Sequence, residues 1–445
     1  MKTFKLILLT PACLLFLLSC DKKQAETETV NYLVINEVAA HEETGEVDSW
    51  VEIANTGTET VSLEGMGLYI TDKYLKGQKI ADLSGSLEAG ARLVVSTSDN
   101  SLVTGIASDT PFTLVLGTSA SDVADTFSLE EEAPSLGYFG SYQRIPDLSG
   151  DWRLVTYSSP GRENALFDIS NYKPTAVWTW GAHLADLTAN DGAKLREIKN
   201  KGYDHILLNF AGFETAGYHS NALKFIRICD EIDLVPHVWM QCFYEGGKWI
   251  SPIDDENVTY KEDVYERIRN DADRYIRTWG VKGVHLDYIR FGGTASKHDH
   301  NREVNSVGAV NRCCREIRET TDSFDEGLVT SAALMPEPNS TATYGQSPNM
   351  MAEYIHILMP MIYRYGSYNF SDDTFQSRSN YFADQAAKKG GVSWSGIQTY
   401  NASNQGMTAT QLRRDIDLMA DTRAAGVVLF RYQLGEFPDI NDLWK

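Results

Sequence analysis

From residue 175 to the C-terminus the chain alternates between two kinds of segment, and this alternation limits the fold more than any other feature. Short apolar runs occupy residues 175–180, 205–210, 234–242, 283–291, 328–335, 355–363, 392–400 and 426–431. Amphipathic stretches with helical spacing lie between them, over residues 191–201, 222–232, 261–279, 302–320, 349–354, 374–389 and 408–424. Strands that alternate with helices build parallel sheets. Eight such units in about 270 residues match the size of one α/β (β/α)8 TIM barrel. A Rossmann sheet competes, but no Gly-rich phosphate fingerprint follows any of the runs.

The fourth run, Gly283-Val284-His285-Leu286-Asp287-Tyr288-Ile289-Arg290-Phe291, reads as a buried strand that ends in a charge. Alternate residues of a strand share a face, so Val284 and Leu286 point one way and His285 and Asp287 the other. An apolar outer face suits packing under helices. A His and an Asp on the inner face suit the catalytic mouth at the C-terminal ends of barrel strands. The other reading of Asp287 is a structural ion pair with Arg290 or a neighbouring arginine.

The other runs end in a similar inventory. Trp178 and Trp180 close the first, Asn209 the second, and Trp239 and Gln241 the third. Glu337 follows the fifth between two prolines, Tyr363 ends the sixth, Gln398 and Tyr400 the seventh, and Arg431 the eighth. Flat apolar rings with amide and carboxylate groups are what a sugar needs: faces to stack on and partners for hydroxyls. Two carboxylates also suffice for hydrolysis of a glycosidic bond, one protonating the leaving oxygen and the other attacking or activating water. Asp287 and Glu337 are the natural pair, on neighbouring strands that run about 5 Å apart, and if their carboxyl groups are similarly close a retaining course follows. Trp178, Trp180, Asn209, Trp239, Gln241, His285, Arg290, Tyr363, Gln398, Tyr400 and Arg431 are then expected to hold the carbohydrate. A non-catalytic glycan-binding protein would keep the aromatics without needing both carboxylates.

The motifs Gly283 to Phe291, Met335-Pro336-Glu337, Tyr344-Gly345-Gln346 and Met359-Pro360-Met361-Ile362-Tyr363 resemble glycoside-hydrolase-like proteins related to the α-amylase superfamily. That resemblance implies Asp287 as nucleophile and Glu337 as proton donor. Two positions depart from it. His285 stands where amylase-type enzymes carry an arginine, and Gln398, Tyr400 and Asn401 occupy the region of their third acid.

Residues 30–166 follow a different rule. Short alternating runs such as Leu33-Val34-Ile35, Trp50-Val51-Glu52-Ile53 and Leu114-Val115-Leu116 are separated by Gly, Asn, Asp and Ser clusters. This spacing predicts an all-β sandwich. Ile35-Asn36-Glu37-Val38, Trp50 to Gly57, Tyr142-Gln143-Arg144-Ile145-Pro146-Asp147, Gly150-Asp151-Trp152 and Ser159-Pro160-Gly161 resemble, in order, a lamin tail domain. The resemblance implies an immunoglobulin-like sandwich acting as an accessory module, with Trp50, Glu52 and Trp152 in structural roles. Residues 167–174 read as a linker to the barrel at residues 175–445.

The first 19 residues read as a targeting segment: a basic start, an apolar run from Leu6 to Leu18, and Leu17-Leu18-Ser19-Cys20. The last four resemble a bacterial lipobox, which implies cleavage before Cys20, a lipid on its sulfur and a membrane partner at the cell envelope. Residues 20–29 read as a polar tether. A formal net charge of −21 argues against nucleic acid as a partner.

No cofactor or metal is expected from the remaining motifs. Lys297-His298-Asp299-His300 reads as either a metal-ligand cluster or a polar loop at the cleft rim. Asp254-Asp255-Glu256 reads as a calcium loop or a solvated acidic turn. Cys229, Cys242, Cys313 and Cys314 lack metal-ligand spacing and read as small buried hydrophobes, with a Cys229–Cys242 bridge left open.

Overall fold

The computed structural model describes residues 32–41, 47–131, 136–324, 326–366 and 368–444. The targeting segment, Cys20 and the tether lie outside the described residues. Among the described residues no helix is long and apolar enough to cross a membrane.

The N-terminal third forms two antiparallel sheets. One runs in the order Asp151–Val155, Ser141–Ile145, Leu33–Ala39, Trp50–Asn55, Arg92–Ser96. The other runs Lys76–Asp82, Gly67–Thr71, Phe112–Ser119, Asp122–Leu129. Val38, Val51, Leu68 and Leu114, from strands of both sheets, share one buried cluster, so the two sheets enclose a single core. Four strands here escape the sequence pattern. Lys76–Asp82 and Asp122–Leu129 are polar and largely exposed along much of their length. Ser141–Ile145 carries Gln143 and Arg144, whose side chains bond within the fold, and Asp151–Val155 is largely exposed. Glu52 is structural, accepting from Asn36 Nδ2 at 2.8 Å and from the Gly161 amide at 2.7 Å. Trp152 meets Phe127 edge-on at 4.6 Å between centroids.

The remainder is a closed barrel of eight parallel strands: Thr175–Thr179, His205–Asn209, Val235–Gln241, Gly283–Asp287, Val329–Leu334, Ile357–Pro360, Val392–Gln398 and Gly426–Phe430. They are the first to eighth barrel strands below. Period-two alternation sorts their side chains as expected. Val284, Leu286, Ile206 and Leu208 face the surrounding helices, while Trp178, Leu207, Trp239 and Met359 fill the interior. The four described cysteines are free and buried, so Cys229 and Cys242 form no bridge.

The fourth strand is shorter than the sequence suggests. It stops at Asp287 because Tyr288 takes φ +52°, which leaves the extended path. Arg290 therefore belongs to the loop beyond the strand.

The sandwich docks at the N-terminal ends of the barrel strands. Glu326, just before the fifth strand and 1% exposed, accepts from the backbone N–H of Thr156 at 2.6 Å and from its hydroxyl. Lys282, just before the fourth strand, pairs with the same carboxylate at 3.6 Å. Tyr138 donates its N–H to the Thr278 carbonyl at 2.9 Å, and Arg162 pairs with Asp230 at 2.5 Å. The catalytic end of such a barrel lies on the opposite face.

Candidate active site

The mouth is built from loops that leave the C-terminal ends of the strands. Asp287 is half-buried there, and each of its carboxylate oxygens has one donor. Oδ1 accepts from the Tyr288 N–H at 2.7 Å and Oδ2 from the Trp239 indole N–H at 2.9 Å. Burial pushes its pKa above the ordinary carboxylate range, against the opposing effect of these two donors and Arg290. Among the described residues Asp287 stands in no ion pair, so the structural pairing with Arg290 does not form. The field of Asp287 also reaches Tyr363, whose phenol is raised mainly by burial and whose ring stacks on Phe430 at 5.4 Å.

Glu337 sits beyond the fifth strand rather than at its end. Asp287 continues the register that pairs Leu286 with Ala332, so Glu337 lies four residues past its level. Its Oε1 accepts from the Tyr368 phenol at 2.8 Å, and its Oε2 is buried with no partner. The preceding residue, Pro336, gives its carbonyl to Arg378 Nη1 at 3.0 Å, which pins the loop. Arg290 connects the two acids electrostatically: it lies in the field of Asp287 and of Tyr368, the partner of Glu337.

Some of the expected sugar-binding residues are closed off instead. Trp178 is 2% exposed inside the barrel, and its indole N–H donates to His285 Nε2 at 3.2 Å. That donor leaves the His285 proton on Nδ1, which donates to Ser331 Oγ at 2.9 Å. Both His285 nitrogens are thereby used, and burial holds its pKa well below the ordinary imidazole value. His285 neither orients Asp287 nor reaches a ligand; it is a neutral core residue. Gln398 is also consumed, its amide donating to the Tyr400 carbonyl at 2.7 Å and accepting from the Tyr365 N–H at 3.0 Å. Trp239, 7% exposed, acts on Asp287 rather than as a stacking face.

Asn209, Gln241, Tyr363, Tyr400 and Arg431 are half-buried at the strand ends, and Trp180 is 37% exposed at the rim. Asn209 caps its own loop by accepting from the Ala211 N–H at 3.2 Å. Gln241 faces a side cavity of about 220 Å³ shared with Phe210, Tyr244 and Tyr275.

Several contributors lie in loops whose irregular backbone carries no periodic signal. Tyr244 and Trp249 sit on a hairpin after the third strand. Tyr244 stacks on Tyr288 at 4.6 Å, and Trp249 carries the Arg290 guanidinium 4.5 Å above its ring. Tyr344 adds a second ring at 5.2 Å from that guanidinium. The two ambiguous polar motifs meet each other: Asp255 receives His298 Nδ1 at 2.9 Å and His300 Nε2 at 2.8 Å. They form a clasp between the loops after the third and fourth strands. Among the described residues no group of three or more His, Cys, Asp or Glu is arranged to hold a metal ion.

A scan against known protein families matches none, and a search of curated proteins returns no relative. Solved structures give remote similarities. The PgaB (BpsB) glycoside hydrolase domain of Bordetella bronchiseptica aligns with TM-score 0.43 and 10% identity, covering 58% of this chain and 94% of that one. The spore cortex-lytic enzyme SleL of Bacillus megaterium aligns with TM-score 0.41 and 13% identity, over 65% of this chain and 78% of that one. The β-glucuronidase of Bacteroides uniformis aligns with TM-score 0.39 and 10% identity, over 91% of this chain; the chain spans 47% of that enzyme.

Proposed function

We propose that the chain is a glycoside hydrolase that cleaves a poly- or oligosaccharide at the barrel mouth, with Asp287 and Glu337 as its two carboxylates. The observation that carries this reading is Asp287 itself: a desolvated carboxyl at the end of the fourth strand, held by two neutral donors and by no ion pair. A protein that only bound glycans would not need both carboxylates. A carboxyl whose pKa is raised by burial is suited to the role of proton donor. The roles are therefore the reverse of those implied by the amylase resemblance. Asp287 protonates the leaving oxygen, and Glu337, with its free Oε2, attacks the anomeric carbon in a retaining course.

Turnover of a polysaccharide panel, read by released reducing ends, tests this. Asp287→Asn and Glu337→Gln are expected to lower the rate by about 10²-fold or more while binding survives. Wild-type turnover in either variant would overturn the assignment of that carboxylate, and no turnover by the parent chain alongside measurable binding would overturn hydrolysis in favour of a glycan-binding protein. The anomer of the first product, followed by NMR, separates retention from inversion.

The N-terminal segments complete the proposal. Cys20 carries a lipid that anchors the protein at the cell envelope, and the lamin-tail-like sandwich is an accessory module on the face opposite the mouth. Incorporation of labelled fatty acid, lost in Cys20→Ala, checks the anchor.

A further inference from the structure

Arginines on the barrel's helices and loops are commonly neutralised by carboxylates: Arg274 by Glu214, Arg312 by Glu262 and Glu316, Arg364 by Asp415, Arg423 by Asp384. Two at the mouth are not. Arg290 and Arg431 stand in no ion pair among the described residues, and each is held by aromatic rings instead. Arg290 lies 4.5 Å from the Trp249 ring centroid, 5.2 Å from that of Tyr344 and 5.9 Å from that of Tyr288. Arg431 lies 3.5 Å from the centroid of Trp180.

This form of holding has a chemical consequence. A ring attracts the face of a guanidinium through its quadrupole and leaves the N–H donors at the edge unspent. Those donors match the two oxygens of an acid group. Arg290 Nε is buried without a hydrogen-bond partner, and Nη1 reaches only the Phe291 carbonyl at 3.2 Å. Arg431 Nη1 has only the long contact of 3.4 Å to His183 Nε2. Burial lowers the pKa of both from the ordinary arginine value, the sign expected of desolvated cations lacking a close counter-charge. All this occurs in a chain of net charge −21, where carboxylates are abundant.

We propose that the saccharide taken at this mouth carries acid groups, and that Arg290 and Arg431 receive them on opposite flanks of the site. This rests on the reading of the mouth as a carbohydrate site and names the substrate class. Arg290 lies in the field of Asp287 and of Tyr368, the partner of Glu337, so it takes the group on the sugar at the cleavage point. Arg431, between the first and eighth strands, takes one further along the chain. Occupation of Arg290 has a second effect. Its positive charge holds the Asp287 pKa down. An anion on it cancels that effect and favours the protonated, proton-donating form, so a neutral sugar would both bind and react less well.

The test is calorimetric binding of uronate oligosaccharides (galacturonate, mannuronate and glucuronate series), the same oligosaccharides after carboxyl reduction, and sulfated galacto-oligosaccharides. Measurements at about 0.1 M and about 1 M salt bracket Debye lengths of about 10 and 3 Å. At least one acidic series is expected to bind tenfold or more tightly than its reduced form. The difference should collapse in Arg290→Gln and weaken in Arg431→Gln. Arg290→Lys, which keeps the charge and loses the fork, should recover only part of it. Equal binding of sulfated and carboxylated forms supports a general acid-group site, and preference for the latter supports a uronate. Equal binding of acidic and reduced forms, or no binding of any acidic series, overturns the inference. Cleavage of reduced oligosaccharides alone would leave the hydrolase reading standing while this one falls. Tight acidic binding without cleavage would do the reverse.

Discussion

The indole N–H of Trp239 donates to Oδ2 of Asp287 at 2.9 Å, one layer up and across neighbouring barrel strands. This bond favours the charged carboxylate, while burial favours the neutral acid and prevails. Trp239→Phe keeps a ring against Phe430 and removes the donor. That bond is one of the effects that hold the Asp287 pKa down, so its loss should move the pKa further up. With Asp287 as proton donor, the high-pH limb of kcat/KM moves up with it. Movement of the low-pH limb instead would mark Asp287 as the group that must be ionised, and so as the nucleophile.

The Trp239 contact also shows where sequence reasoning reaches and where it stops. Period-two alternation placed His285 and Asp287 on the inner face, and both are there. It could not tell depth. His285 lies one layer below Asp287, and that single step separates a neutral core histidine bonded to Trp178 and Ser331 from a carboxyl at the mouth. Trp178 and Gln398 depart from expectation for the same reason: a strand's last inward residue can face the ligand or the layer beneath. The loop residues failed differently. Trp249, Tyr344 and Tyr368 reach the site through turns whose path depends on tertiary contacts, and no period marks them. Glu337 was legible as a carboxylate after the fifth strand. Its position four residues above the register of Asp287 was not.

Glu37 should give the sandwich a stability that depends on pH. It is fully buried between Ser141, Gln143 and Ser159, and burial raises its pKa from 4.5 to about 7 despite their hydrogen bonds. In the unfolded chain it releases its proton near 4.5. Its contribution is therefore full below about pH 4.5 and declines as pH rises through about 7, by on the order of 3 kcal/mol. Glu37→Gln should flatten this dependence. Hydrogen exchange of the Leu33–Ala39 amides at pH 5 and 8, in parent and variant, measures it.

Glu326 ties the two units together. In Glu326→Ala the Thr156 N–H and hydroxyl lose their acceptor, and Lys282 its counter-charge. The cost is about 2–4 kcal/mol at the joint, from buried donors left without partners. The mouth is on the far face, so catalysis should persist. The expected outcome is a larger radius of gyration in solution scattering and two separated calorimetric transitions. An unchanged scattering profile would mean that the remaining contacts, among them Arg162 with Asp230 and Tyr138 with Thr278, suffice to hold the units together.

Tyr288 carries a cost that the site keeps. Its φ of +52° is unusual for a bulky residue and costs about 1–3 kcal/mol where no glycine relieves it. In return the turn aims the Tyr288 N–H at Asp287 Oδ1 and lays its ring on Tyr244 and beside Trp249. Tyr288→Gly removes the strain and the Tyr288 ring together. Relief of the left-handed backbone favours the variant, while the lost ring contacts and the freer unfolded chain oppose it, so the melting temperature should change little. Activity should fall steeply, because Arg290 loses one of its three aromatic neighbours and the N–H that fixes Asp287 is held by a looser turn. Tyr288→Asn, which tolerates the left-handed region and has no large ring, isolates the loss of the ring. If its rate stays near that of the parent while Tyr288→Gly is slow, backbone rigidity is what the site requires. If both are equally slow, the requirement is the aromatic wall.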